Sequence, residues 1–138
     1  MSILAVKNVS YSYEDGSRIR SILSNVSYEF EKGKFYSILG VSGSGKTTFL
    51  SLISGLDTPL HGAIFYEGED IEKIGYEKYR RNDIGIVFQN YNLIPYLNGY
   101  QNVLVAMGIS DNVNKNTMKE DAYKIIEKVG IDKETSER

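Results

Sequence analysis

The sequence predicts an α/β fold: an N-terminal antiparallel β-subdomain, then a core of buried-type strands and helices. Three observations carry that expectation. Branched and aromatic residues alternate with period two in the first third of the chain. A glycine-rich loop then stands between a short apolar run and a segment with helical spacing. Helical spacing returns near the C-terminal end.

In the first strand segment Leu4 and Val6 share one face, then Val9, Tyr11 and Tyr13 share one. Glu14-Asp15-Gly16-Ser17 reads as a turn, because glycine tolerates positive φ and aspartate bonds its own backbone. Val26, Tyr28 and Phe30 alternate again, and Glu31-Lys32-Gly33-Lys34 supplies a second turn. Phe35-Tyr36-Ser37-Ile38-Leu39 is expected to be a strand covered on both faces. A helix is predicted over 46–54, with Phe49, Leu50 and Ile53 on its apolar face and Gly55 at its end. Further strands are expected at 63–66 and at 84–88, the latter ending at Gln89.

The last segment places Met118, Ala122, Ile125, Ile126 and Val129 on one helical face. Thr117 and Glu120 suit a capping box, and Gly130-Ile131 suits a helix stop with a hydrophobic contact. The polar stretch 133–138 is expected to fray. Residues 1–34 read mainly as the antiparallel β-subdomain, 35–95 as the glycine-loop core through Gln89, and 96–138 as a helical segment.

Composition removes several function classes. The chain has 138 residues with 41% hydrophobic and 25% charged, the profile of a globular domain. Its net charge of -2, with no run of Lys and Arg, gives no electrostatic reason to bind nucleic acid. It has no cysteine, which excludes thiolate metal sites and disulfides. The one histidine, His61, follows Pro59 in a turn region and reads as a surface residue. Asp15, Asp57 and Asp70 fall in turn-like stretches, where local backbone bonding accounts for them. No apolar stretch reaches the length that spans a bilayer.

The glycine-rich segment Gly40-Val41-Ser42-Gly43-Ser44-Gly45-Lys46-Thr47 has the spacing of a P-loop. Its chemistry follows from residue type. Gly43 and Gly45 allow the backbone to fold tightly round phosphate oxygens. The loop N–H groups form an anion nest, and the following helix directs its positive end at it. Lys46 supplies a point charge to the outer phosphates, and the Thr47 hydroxyl suits Mg²⁺. Charge-assisted hydrogen bonds are worth about 1.5–3 kcal/mol each, so several together dominate affinity for a triphosphate.

Other segments occur in order around this loop: Tyr11-Ser12-Tyr13 before the turn, Thr48 after Thr47, Gly55-Leu56-Asp57-Thr58-Pro59, and Arg80-Arg81 leading to Ile84-Gly85-Ile86-Val87-Phe88-Gln89. Together they closely resemble the ATP-binding subunit of ABC transporters, along essentially the whole chain. Asn92-Leu93-Ile94-Pro95 and Asn102-Val103 look like the group that serves lipoprotein-release, macrolide-export and antimicrobial-peptide-export permeases.

The resemblance implies ATP and Mg²⁺ as ligands. Tyr13 stacks on adenine; Gly40, Ser42, Gly43, Ser44, Gly45, Lys46, Thr47 and Thr48 hold the phosphates; Thr47 and Gln89 reach the metal. Lys46 and Gln89 are the catalytic candidates, and Gln89 also relays to the permease. The implied partners are a transmembrane permease and a second ATP-binding subunit, with the protein cytoplasmic and peripheral on the inner face of the cell membrane. Val41 occupies a variable loop position. Gln101 replaces the glutamate usual in this group before Asn102-Val103, which bears on the permease contact and not on nucleotide binding.

Parts of the family pattern are missing. No apolar run ends in Asp-Glu, no Ser-Gly-Gly follows, and His61 lies too early to be the switch histidine. The chain therefore reads as an N-terminal fragment of an ATPase that binds nucleotide without turning it over. Two alternatives stand beside this reading. A GTP-binding switch needs Asn-Lys-x-Asp, whereas Asn114-Lys115 is followed by Asn116-Thr117. A non-catalytic interaction fragment would leave the loop empty or holding sulfate.

Overall fold

The computed structural model describes residues 2–16 and 18–138, with the backbone alone at Asp15. Two compact units make up the chain, Met1–Ile84 and Gly85–Arg138.

The first unit is built on a long hairpin. Strand β1 (Ser2–Asp15) pairs antiparallel with β2 (Arg18–Glu31), and on its other edge with β3 (His61–Tyr66). A short β4 (Glu69–Asp70) completes a four-stranded sheet in the order β2-β1-β3-β4. The predicted switch of face between Val6 and Val9 is a β-bulge. Pairing shifts between those residues on β2, and Asn8 takes φ 53. The bulge is tied down by side chains: Ser27 Oγ accepts from the Asn8 N–H at 2.8 Å and donates to Asn8 Oδ1 at 3.1 Å. In the predicted turn, Gly16 has φ 62 and Ser17 lies outside the described residues, as does the Asp15 side chain.

Helix α1 (Lys46–Ile53) lays Phe49 and Leu52 on the sheet, where they join Val6, Val9 and Ile64. Phe49 and Ile53 face the core as predicted, whereas Leu52 is fully buried in place of Leu50, which faces outward. Gly55 ends the helix at φ 67, with the rings of Tyr76 and Tyr79 against it. Helices α2 (Ile71–Ile74) and α3 (Tyr76–Asn82) close the core with Ile71 and Tyr79. Asp70 caps α2 by accepting the Glu72 N–H at 3.0 Å, the local role expected of it. His61 is exposed, also as expected.

Two expected strands are absent. Residues 35–39 and 84–88 carry no sheet pairing; Phe35 is 93% and Val87 100% exposed. A buried parallel strand needs a neighbour on each edge and a layer on each face. Among the described residues these runs have no ladder partner, so their apolar pattern does not become a strand.

The second unit is helical. Helix α4 (Gly99–Ile109) starts at a full capping box: Asn98 Oδ1 accepts the Gln101 N–H at 2.8 Å and Gln101 Oε1 accepts the Asn98 N–H at 3.1 Å. Asn102 holds the preceding loop by bonding Ile94 N–H and the carbonyls of Ile94, Leu97 and Asn98. Helix α5 (Met118–Lys128) buries Ala122 and Ile126. Its predicted Thr117–Glu120 capping box is not formed; the Thr117 hydroxyl donates instead to Asp121 Oδ2 at 2.7 Å. The stop at Gly130 is as expected, with Gly130 N–H bonded to Glu127 O and Ile131 N–H to Ile126 O.

The terminal stretch is folded rather than frayed. Residues Lys133–Ser136 form α6, capped by Asp132, whose Oδ1 accepts the Thr135 N–H at 2.7 Å. Ser136 is buried beside Gly99, and Glu137 accepts a hydrogen bond from the Tyr123 hydroxyl. Polar residues order this end through caps and tertiary bonds, which hydrophobic periodicity does not register.

Candidate functional site

The loop at 40–45 makes one hydrogen-bonded turn, Ser44 N–H to Val41 O at 3.2 Å, before α1 begins. Gly43 has φ 77 and Gly45 φ 89, both in the left-handed region that favours glycine. Gly40 is needed for a different reason: a Cβ there would press into the Ser44 side chain. At Gly45 a Cβ would come within 3.0 Å of Ile22 Cγ2 and 3.2 Å of Leu23 Cδ2, so the loop rests directly on β2.

Lys46 opens the helix and turns back over the loop. Its ammonium donates to the carbonyls of Gly40 at 2.6 Å and Val41 at 2.8 Å, and lies 3.4 Å from Ser44 Oγ. The first turn of α1 contains no acidic residue, so its N-terminal partial charge is left positive. Loop, helix end and lysine together make an anion-binding cradle.

Tyr13 borders one open cavity of about 450 Å³ with Gly43, Gly45, Lys46, Thr47 and Thr48. Its ring is about half exposed and is met edge-on by Tyr11, with centroids 5.0 Å apart at 83°. A flat aromatic face and a glycine-rich loop with its lysine on one cavity suit a purine nucleotide. The residues fit its metal as well. The Thr47 hydroxyl borders the cavity, and Mg²⁺ takes most of its ligands from phosphate and water rather than from a protein cage.

Of the remaining sequence-predicted positions, Gly40 and Ser44 contact Lys46. Ser42 is exposed in the loop. Gln89 is an exposed residue of the second unit. The sequence reading missed Glu14, Arg20 and Ile22, which border the same cavity. Hairpin register could have found Arg20, since the pairing of β1 with β2 sets Tyr13 opposite it.

The ABC transporter family model matches residues 23–138, which includes the whole loop. The chain belongs to the ABC transporter family, as an ATP-binding domain. It is 46% identical over 132 residues to the "Uncharacterized ABC transporter ATP-binding protein YclH" of Bacillus subtilis (strain 168), covering 95% of this chain and 57% of that protein. Over 132 residues it is 37% identical to the "Uncharacterized ABC transporter ATP-binding protein Rv0986" of Mycobacterium tuberculosis (strain ATCC 25618 / H37Rv), covering 94% of this chain and 53% of that protein. It is also 42% identical over 104 residues to the "Phosphonates import ATP-binding protein PhnC" of Treponema denticola, covering 74% of this chain and 40% of that protein. The chain thus spans about half the length of these curated relatives.

Among solved structures, the ABC cassette MJ0796 in a dimeric post-hydrolysis state bound to ADP and Pi superposes with a TM-score of 0.87 at 30% identity, covering 98% of this chain and 60% of that one. A second dimeric structure of the same cassette gives 0.86. The α/β expectation is met at the level of this fold. No helix among the described residues is long and apolar enough to cross a membrane.

Proposed function

We propose that this ABC-family chain binds MgATP with its base on Tyr13 and its phosphates in the loop from Gly40 to Thr48. The observation that carries the reading is the shared cavity: Tyr13 borders it together with Gly43, Gly45, Lys46, Thr47 and Thr48. The loop N–H groups of Ser42, Gly43 and Gly45 and the Lys46 ammonium hold the phosphate oxygens. The Thr47 hydroxyl holds Mg²⁺, which when bound neutralises charge between the outer phosphates. Lys46 exchanges its bonds to Gly40 and Val41 carbonyls for phosphate oxygens, so it moves little on binding.

In the whole protein, ATP hydrolysis powers transport by a permease, with a second ATP-binding subunit completing each site. Gln89 is assigned to the metal and water, and to relaying the nucleotide state to the permease, on its resemblance to the family glutamine. The protein works in the cytoplasm, on the inner face of the membrane. Export is favoured by Asn92-Leu93-Ile94-Pro95 and Asn102-Val103. The printed name of PhnC describes import by that protein, and substrate flux with the cognate permease decides the direction.

The 138 residues contain no apolar strand ending in Asp-Glu and no Ser-Gly-Gly. This chain therefore binds nucleotide weakly and does not turn it over. Titration with MgATP and MgGTP, together with a steady-state phosphate-release assay, tests both statements. Binding that favours ATP with no turnover is expected. Family-like turnover overturns the inactivity, and equal or absent binding of ATP overturns the nucleotide assignment.

A further inference from the structure

We infer that Arg20 is a further nucleotide contact, a guanidinium delivered by β2 to the sugar and α-phosphate between the base platform and the phosphate loop. The inference rests on the MgATP reading above and adds a residue that the P-loop and the stacking tyrosine do not include.

Register places it. Tyr13 and Arg20 are directly paired across the β1–β2 hairpin, and directly opposed residues project from the same face. Both border the cavity that contains the phosphate loop. Two residues further along β2, Ile22 is the side chain against which Gly45 packs. At about 3.3 Å per residue, Arg20 therefore stands about 7 Å along the strand from the loop contact. A nucleotide with its base on Tyr13 and its outer phosphates in the loop must pass its sugar and α-phosphate through that interval.

Charge supports the same placement. The Lys46 ammonium is held at the loop itself by the carbonyls of Gly40 and Val41. Arg20 is the cation that β2 brings to the cavity, and among the described residues no carboxylate is in salt-bridge contact with it. A guanidinium presents several donors in one plane, which suits two phosphate oxygens or a phosphate and a ribose hydroxyl together.

The test is equilibrium titration of this chain and its variants with ATP, ADP, AMP and adenosine at two salt concentrations. Arg20→Gln is expected to weaken all three phosphorylated ligands about 3- to 10-fold at low salt and to weaken adenosine, which offers only the ribose, by clearly less. The deficit is expected to narrow at high salt, because the contact is solvent-accessible. Arg20→Lys is expected to recover most of the loss. An equal loss for adenosine would mean that Arg20 makes no phosphate contact, and the inference falls. If Arg20→Gln binds ATP like the unmodified chain while Tyr13→Ala and Lys46→Ala weaken it, the inference falls and the MgATP reading stands. If the unmodified chain binds no ATP, both fall together. Arg20 is exposed, so far-UV circular dichroism of the two Arg20 variants is expected to match that of the unmodified chain.

Discussion

The Tyr11 hydroxyl donates a hydrogen bond to the Asp57 carboxylate, joining β1 to the loop that leaves α1. Asp57 is held in turn by the Thr58 N–H at 2.8 Å. Tyr11 also meets the Tyr13 ring edge-on. The strand that carries Tyr13 is thus fastened to the exit of the helix that follows the glycine-rich loop. The Asp57 hydrogen bond is the first cause that pushes the Tyr11 phenol well above its ordinary range, with burial next, so Tyr11 keeps its proton and remains a donor.

Tyr11→Phe removes that donor and leaves the ring. The expected cost is about 1–2 kcal/mol of stability, read as a lower urea midpoint at an unchanged slope. MgATP affinity is expected to fall about two- to three-fold, because Tyr13 loses a fixed neighbour. Tyr11 acts here as a positioning residue. Unchanged ATP affinity alongside the stability loss would restrict it to a structural role.

Lys46→Ala is expected to separate binding from folding. The lysine bonds only loop oxygens in an exposed part of the chain, so the thermal midpoint should hardly move. ATP affinity is expected to drop at least about 50-fold, since a point charge at the outer phosphates has no substitute. A calorimetric titration and a thermal melt on the same sample provide the comparison. An intact affinity would favour a loop that holds no nucleotide.

How legible this site was in sequence depends on the range of the interactions involved. The glycines, Lys46 and Thr47 are contiguous, and their chemistry is local, so spacing alone locates them. The bulge at Asn8 was visible as the change from even to odd apolar positions. Arg20 was not visible as a ligand, because only the pairing with Tyr13 brings it to the cavity. Residues 35–39 and 84–88 have the composition of buried strands, but a strand is a property of its neighbours and they have none among the described residues. Helix α4 was missed because Val103, Leu104, Val105 and Met107 do not make one apolar stripe, and none of its residues is buried. Its start is specified by Asn98 and Gln101 instead, so the glutamine that departs from the family pattern has a clear local task.

Tyr79 should govern part of the alkaline stability. Its ring is buried and its hydroxyl donates to Ile53 O at 3.0 Å. Burial, with smaller contributions from Tyr66 and Asp83, pushes its pKa from 10.0 up to about 12. The folded state therefore holds this proton more tightly than the unfolded chain does. Its contribution is full below pH 10 and is lost as pH rises through about 12. Tyr79→Phe is expected to flatten the fall in urea midpoint over that interval, at the cost of about 1 kcal/mol near neutrality from the lost hydrogen bond. The same alkaline fall in both proteins would assign it to other tyrosines.

Gly62 is the position where one methyl group should do most damage. It has φ 81, and a Cβ would run into the carbonyl oxygens of Lys7 and Asn8 on β1. Those carbonyls belong to the bulge, between the Lys7–Ala63 and Ser10–His61 pairs, and they cannot withdraw without unpicking both edges of β1. Gly62→Ala thus combines a left-handed backbone cost with a backbone clash, and a loss above about 2 kcal/mol is expected. Asn8→Gly provides the contrast. It frees the φ 53 position from its side chain but gives up the bond from Ser27 Oγ, so its net effect should stay within about 1 kcal/mol. Urea denaturation of the two variants ranks them directly. Similar small losses in both would show that β3 can shift away from the bulge, and the sheet would then be a looser support for Tyr13 than its register indicates.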